Sequence, residues 1–147
     1  AVEVHDEIVK NRVIMNFNQE KVDTEQILKS LEALITDGSF TADSVIFDGY
    51  TISSSTGEDL EKIRAFAERL ELEIWFSVSL SDDSENLFND LRVPRVLEDF
   101  VDSIDVIINL RHSEGYVHLE VVKDHQNIEA KDMALRLDPK TLLIAEE

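Results

Sequence analysis

Ser44-Val-Ile-Phe-Asp-Gly-Tyr50 is a short apolar run that stops at a carboxylate and then turns. Amphipathic helical patterns stand before and after it, so it reads as a buried parallel strand with Asp48 at the carboxyl edge of a sheet. Open α/β sheets bind their ligands at that edge. Asp48 is therefore the first place to look for chemistry.

Working outward, Asp23-Thr-Glu-Gln26 has the order of a helix cap, with a glutamine three residues after the capping aspartate. Ile27, Leu28, Leu31, Leu34 and Ile35 then follow helical spacing until Asp37-Gly38 ends the pattern. Upstream, residues 2–11 carry a weak helical pattern through Val4, Ile8 and Val9, and Val13-Ile-Met-Asn-Phe17 reads as a first strand. Downstream, Thr56 and Asp59 form a second cap ahead of the stripe Leu60, Ile63, Phe66, Ala67 and Leu70, with Glu58 and Lys62 paired at i, i+4. Leu72, Ile74, Phe76, Val78 and Leu80 then alternate with Glu71, Glu73, Trp75, Ser77 and Ser79, which predicts a strand with one covered face.

Pro94 is placed to open another helix, whose apolar face is Val96, Leu97, Phe100, Val101 and Ile104. Asp105-Val-Ile-Ile-Asn-Leu110 reads as a buried strand. The short turn Ser113-Glu-Gly115 makes Tyr116-Val-His-Leu-Glu-Val-Val122 its antiparallel partner. Met133, Leu135 and Leu137 precede the turn Asp138-Pro-Lys-Thr141, and Leu142-Leu-Ile144 returns as a last strand. This order predicts one α/β domain over residues 1–147, or the C-terminal fragment of a larger one. Its layers are α/β/α, with a mixed sheet that is parallel at its centre and antiparallel in its C-terminal hairpins.

Composition narrows the function classes. With 32 acidic and 14 basic residues, the formal charge of −18 opposes direct nucleic-acid binding and an anionic membrane surface. The absence of cysteine removes disulfides, thiolate metal sites and cysteine nucleophiles, and is compatible with a cytoplasmic protein. No apolar run reaches the roughly 20 residues of a membrane span.

The succession of Val45-Ile-Phe-Asp48, Glu73-Ile-Trp-Phe-Ser-Val-Ser79, Asp105-Val-Ile-Ile-Asn-Leu110 and Leu135-Arg-Leu-Asp-Pro-Lys-Thr-Leu-Leu-Ile144 resembles the part of a RecA/KaiC-like P-loop ATPase core that follows the phosphate loop. The resemblance implies a P-loop NTPase-like fold with Asp48 as the Walker B carboxylate that holds Mg²⁺ through water. It implies that Ser77 and Ser79 stand where the family keeps a small polar residue against the terminal phosphate of the nucleotide. It also implies that Lys123 matches the basic residue some members extend into a neighbouring subunit's site; a solvent-facing lysine is the plainer reading. Such cores often form rings, so a homo-oligomer is compatible with the likeness.

The departures are as informative. Four glycines, at 38, 49, 57 and 115, leave no Gly-x-x-x-x-Gly-Lys-Ser/Thr loop, and Asn16, Asn18 and Gln19 precede Glu20 where the family's catalytic glutamate would close the first strand. These residues alone are not expected to hydrolyse ATP. Mg-ATP is expected only with a phosphate loop supplied by an upstream segment or another protein. The alternative is a non-catalytic acidic α/β regulatory or interaction module.

Other chemistry is less well supported by the sequence. His112, His118, Glu120 and His125 cluster around a hairpin without the convergent set zinc needs. Asp82, Asp83, Glu85 and Asp90 lack the spacing and glycine of a calcium loop. No Gly-x-Ser-x-Gly elbow is present. A phosphoacceptor receiver domain would require acidic residues and a lysine where Asn16, Asn18 and Asn109 stand.

Overall fold

The computed structural model describes residues 9–18, 23–80, 87–141 and 143–144. The chain divides into two compact units, Ala1–Thr41 and Ala42–Glu147. Among the described residues, no helix is long and apolar enough to cross a membrane.

The smaller unit is built on helix α1, Thr24–Glu32. The Asp23 carboxylate accepts from the Gln26 amide at 2.8 Å, and Gln26 Oε1 accepts from the Asp23 amide at 3.4 Å. This capping box satisfies amides that a helix start otherwise leaves unpaired. Ile27 and Leu31, one turn apart, are buried. Lys29 meets Glu25 at 2.8 Å, and that hydrogen bond and the charge behind it raise the ammonium above its ordinary pKa. Past Glu32 the backbone widens into a π turn, Ala33–Asp37, which Gly38 ends. A β-carbon on Gly38 would lie 2.4 Å from the Leu34 carbonyl oxygen, so the chain can close there only on glycine.

Val13-Ile-Met-Asn-Phe17, expected as the first strand, is not one: no described residue pairs with it, and Val13, Ile14 and Met15 are exposed. β-Propensity measures fit to a pleated surface, and without a partner strand the run has no surface to fit. Of the weak helical pattern before it, Val4 and Ile8 lie outside the described residues, as do Glu20, Asp82, Asp83, Glu85 and Leu142.

The larger unit begins with a β-α-β crossover. Strand β1 is Ser44–Asp48, helix α2 is Gly57–Leu70 and strand β2 is Glu73–Ser77. Thr56 opens α2 by accepting from the Asp59 amide at 3.2 Å, while Asp59 Oδ2 accepts from the Thr56 amide at 2.9 Å. The helix buries Leu60, Ile63 and Phe66 and carries the expected Glu58–Lys62 pair at 2.9 Å. Glu71, with φ of 55°, reverses the chain into β2. The two strands run parallel, in register from Ser44 opposite Glu73 to Asp48 opposite Ser77. Each strand alternates exposed and half-buried positions; this matches the period-two pattern of β2 over a shorter length than expected, but β1, expected as a buried strand, is covered on one face only and leaves Ile46 70% exposed.

An antiparallel wing follows, ordered β3 (Val106–Ser113), β4 (Tyr116–Asp124) and β5 (Asn127–Leu137). Glu114 and Gly115 make the first hairpin with φ of 52° and 82°, the backbone of a tight two-residue turn. The expected last strand is reduced to a bridge between Leu137 and Ile144. Parallel and antiparallel parts are thus both present, but as two separately hydrogen-bonded sheets and not one mixed sheet. No described strand joins β2 to β3.

The helix expected from Pro94 is a 3₁₀ helix, Arg95–Ser103, with Pro94 at its cap and not within it. Its Leu97 enters a core with Ile52, Val93, Ile107 and Val122, around which Tyr50, Phe100, Val101 and Ile104 pack. Lys123 corrects both sequence readings. It is 6% exposed, and its Nζ donates to the carbonyl oxygens of Val101 and, at 2.5 Å, Ile104. A β-bulge explains the geometry: the register shifts between Ile107 and Ile108, so consecutive residues Val122 and Lys123 are both buried. The Val101 carbonyl also accepts from the Ile104 amide at 3.3 Å, so the amine is a second donor there and joins it to the Ile104 carbonyl at the helix end. Lys123→Met is therefore expected to lower stability by about 1–3 kcal/mol in denaturant unfolding of the full chain. A solvent-facing lysine would change it by less than about 0.5 kcal/mol.

Candidate functional site

In β1, Asp48 is the last residue, and Gly49 turns the chain with φ of 68°, a conformation costly for any residue with a β-carbon. In β2, Ser77 is also the last residue, and the parallel register sets it directly opposite Asp48. The Ser77 hydroxyl donates to Asp48 Oδ1 at 2.5 Å and accepts from the Gly49 amide at 3.2 Å. One hydroxyl thus fixes both the carboxylate and the turn that follows it. Both side chains are exposed at the carboxyl end of the pair.

Asp48 and Ser77, read from the sequence as neighbours at a sheet edge, are brought together. Ser79 is not: it lies two residues past the end of β2, exposed and outside the strand pairing. Behind the edge, Phe47 stacks on Phe76 at 5.2 Å between ring centroids, and Tyr50 packs against both. These rings occupy the half-buried face, so Tyr50 fills space beneath the edge. Its hydroxyl accepts from Ser55 Oγ at 2.9 Å. On the opposite face, Ile46 and Trp75 are register partners and both exposed.

A second polar cluster escaped the sequence reading. Arg92, with φ of 66°, reaches Glu120 at 3.2 Å and lies over the Phe88 ring at 5.6 Å. Buried Asn109 donates to the Arg92 carbonyl at 3.1 Å. The cluster ties the turn between Phe88 and Pro94 to β3 and β4. Its members are distant in sequence and share no motif, so spacing gave no signal for it. Of the histidines, His112 lies exposed on β3, His125 pairs with Asp124 in the next turn at 2.8 Å, and His118 is half-buried on β4. Among the described residues, no group of three or more histidines and carboxylates is placed to hold a metal ion. Among the described residues, Ser77 is the side chain hydrogen-bonded to Asp48.

Comparison with protein-family models, with curated proteins and with solved structures finds no match.

Ser77→Ala removes the hydrogen bonds that join Asp48 to the turn, and is expected to cost about 1 kcal/mol. Gly49→Ala, forced to the same backbone angle, is expected to cost about 1–2 kcal/mol. Both are read from chemical denaturation, with Trp75, the chain's one tryptophan, as a reporter on β2.

Proposed function

We propose that this chain contributes the magnesium side of a composite nucleotide site, in a three-layer α/β/α arrangement of the RecA/KaiC-like P-loop ATPase type. The observation that carries the reading is the hydrogen-bonded pair Asp48 and Ser77 at the carboxyl ends of two parallel strands. Asp48 would hold the waters of a hydrated Mg²⁺, an ion that takes few protein ligands. Ser77 would hold that carboxylate in place, since its one proton is given to Asp48 Oδ1; reaching the terminal phosphate would require the hydroxyl to turn away from Asp48. Mg-ATP, when bound, supplies charge neutralisation and the transferable phosphoryl group.

The triphosphate needs more than this edge. With no Gly-x-x-x-x-Gly-Lys-Ser/Thr loop among the 147 residues, the reading requires a backbone nest and lysine from another stretch of polypeptide, upstream in a longer chain or on a partner. These residues alone are expected to show no ATP turnover.

The alternative, a non-catalytic acidic interaction module, has one observation in its favour. The exposed Ile46 and Trp75 pair lies on the face that also carries Asp48 and Ser77.

Asp48→Asn in the complete native protein distinguishes the two. Nucleotide binding at this edge predicts a loss of Mg-dependent ATP turnover of roughly 10- to 100-fold, with the fold retained because an asparagine oxygen still accepts from Ser77. Equal turnover in the variant, or none in the parent, favours the interaction module.

A further inference from the structure

A cleft of about 510 Å³ lies between β2 and the start of β3, within the larger unit. Its wall on one side is Glu73, Ile74, Trp75 and Phe76, four consecutive residues of β2. Successive side chains of a strand point to opposite faces, so a cavity bordered by all four meets the strand along its backbone edge and not on one face. That edge has no partner among the described residues, because β2 pairs only with β1. Across the cleft stand residues 103–106, where β3 begins, and β3 pairs only with β4. Ile63 and Ala67 of α2 also line the space.

A two-stranded parallel sheet is an unusual end state. Parallel sheets are normally buried and flanked, and a two-stranded sheet is marginal by itself. We infer that the cleft is a strand-acceptor site: a β-strand of another polypeptide adds to the free edge of β2 and fills the space beside β3. The carboxylates on the cleft, Glu68, Glu71, Glu73 and Asp105, face one arginine, Arg64, which already pairs with Asp105 at 2.7 Å. The strand that fits is therefore apolar, β-branched and flanked by lysine or arginine. Its backbone supplies the affinity and its side chains enter the apolar lining, the general mode of β-augmentation. The inference deepens the composite-site reading by giving the missing polypeptide a place to enter, but it does not depend on nucleotide.

The probe is a synthetic peptide of about six residues, the usual strand length, alternating valine and threonine with lysine at both ends. Trp75 lies on the cleft and is the only tryptophan, so its emission reports docking directly. The expected result is a saturable blue shift below about 1 mM peptide, with slowed hydrogen exchange at the β2 amides that point away from β1. A peptide interrupted by proline is expected to give neither effect, since it cannot complete the ladder. Glutamate-ended peptide is expected to bind about tenfold more weakly, and Glu71→Lys with Glu73→Lys to reverse that order.

Four results overturn the inference. They are no saturable change with the lysine peptide, equal protection along the free edge of β5, protection of the β2 edge already present in the chain alone, and protection that appears only with dimer formation. Asp48→Asn is expected to leave docking unchanged, because Asp48 does not line the cleft. Failure of the peptide to dock overturns the strand-acceptor site alone, and equal turnover of Asp48→Asn in the complete protein overturns the nucleotide reading alone.

Discussion

The parallel register of β1 and β2 is the constraint from which the candidate site follows. Ser44 faces Glu73, so Asp48 and Ser77 end their strands together. A slip of one residue would turn Ser77 to the face of Phe47, turn Phe76 away from it, and leave Asp48 without its hydroxyl neighbour. Two features hold the register: the capped helix α2, which returns the chain in the parallel direction, and the stacked rings of Phe47 and Phe76. The Asp48–Ser77 hydrogen bond is a product of that pairing before it is a candidate for chemistry.

The antiparallel wing is held in a different way. Its core of Ile52, Val93, Leu97, Ile107 and Val122 is apolar, but two polar groups decide how the loops above it lie. Lys123 gathers carbonyls at the end of the 3₁₀ helix, and Asn109 and Glu120 hold Arg92. Buried donors and acceptors must be paired, so each of these contacts fixes one arrangement where apolar packing alone would permit several. Arg64 adds a tie from α2 to Ser103 and Asp105, at the foot of β3.

The two constructions are separate sheets. Among the described residues, β2 and β3 are each paired along one edge only, and apolar residues of α2 line the space beside them. Unpaired strand edges recruit other strands, and acidic side chains around this one select against most of them. The carboxylates beside the cleft thus give the edge a preference of its own, for strands with basic flanks.

Local chemistry was legible in the sequence. The capping pairs Asp23 with Gln26 and Thr56 with Asp59, the Glu58–Lys62 bridge, the Glu114-Gly115 turn and the Asp48 strand each depend on residues a few positions apart, and each stands where the pattern placed it. The meeting of Asp48 and Ser77 was legible as well, because the helix between their strands implies a parallel return. Only the tertiary structure decided the rest. Val13-Ile-Met-Asn-Phe17 has strand composition but no strand to pair with, and pairing is a property of two segments. Lys123 is turned inward by a bulge that shifts the register by one residue, which no periodicity records. The separation of the sheets was equally hidden, since a sequence specifies which segments want neighbours and the folded chain decides which of them have one.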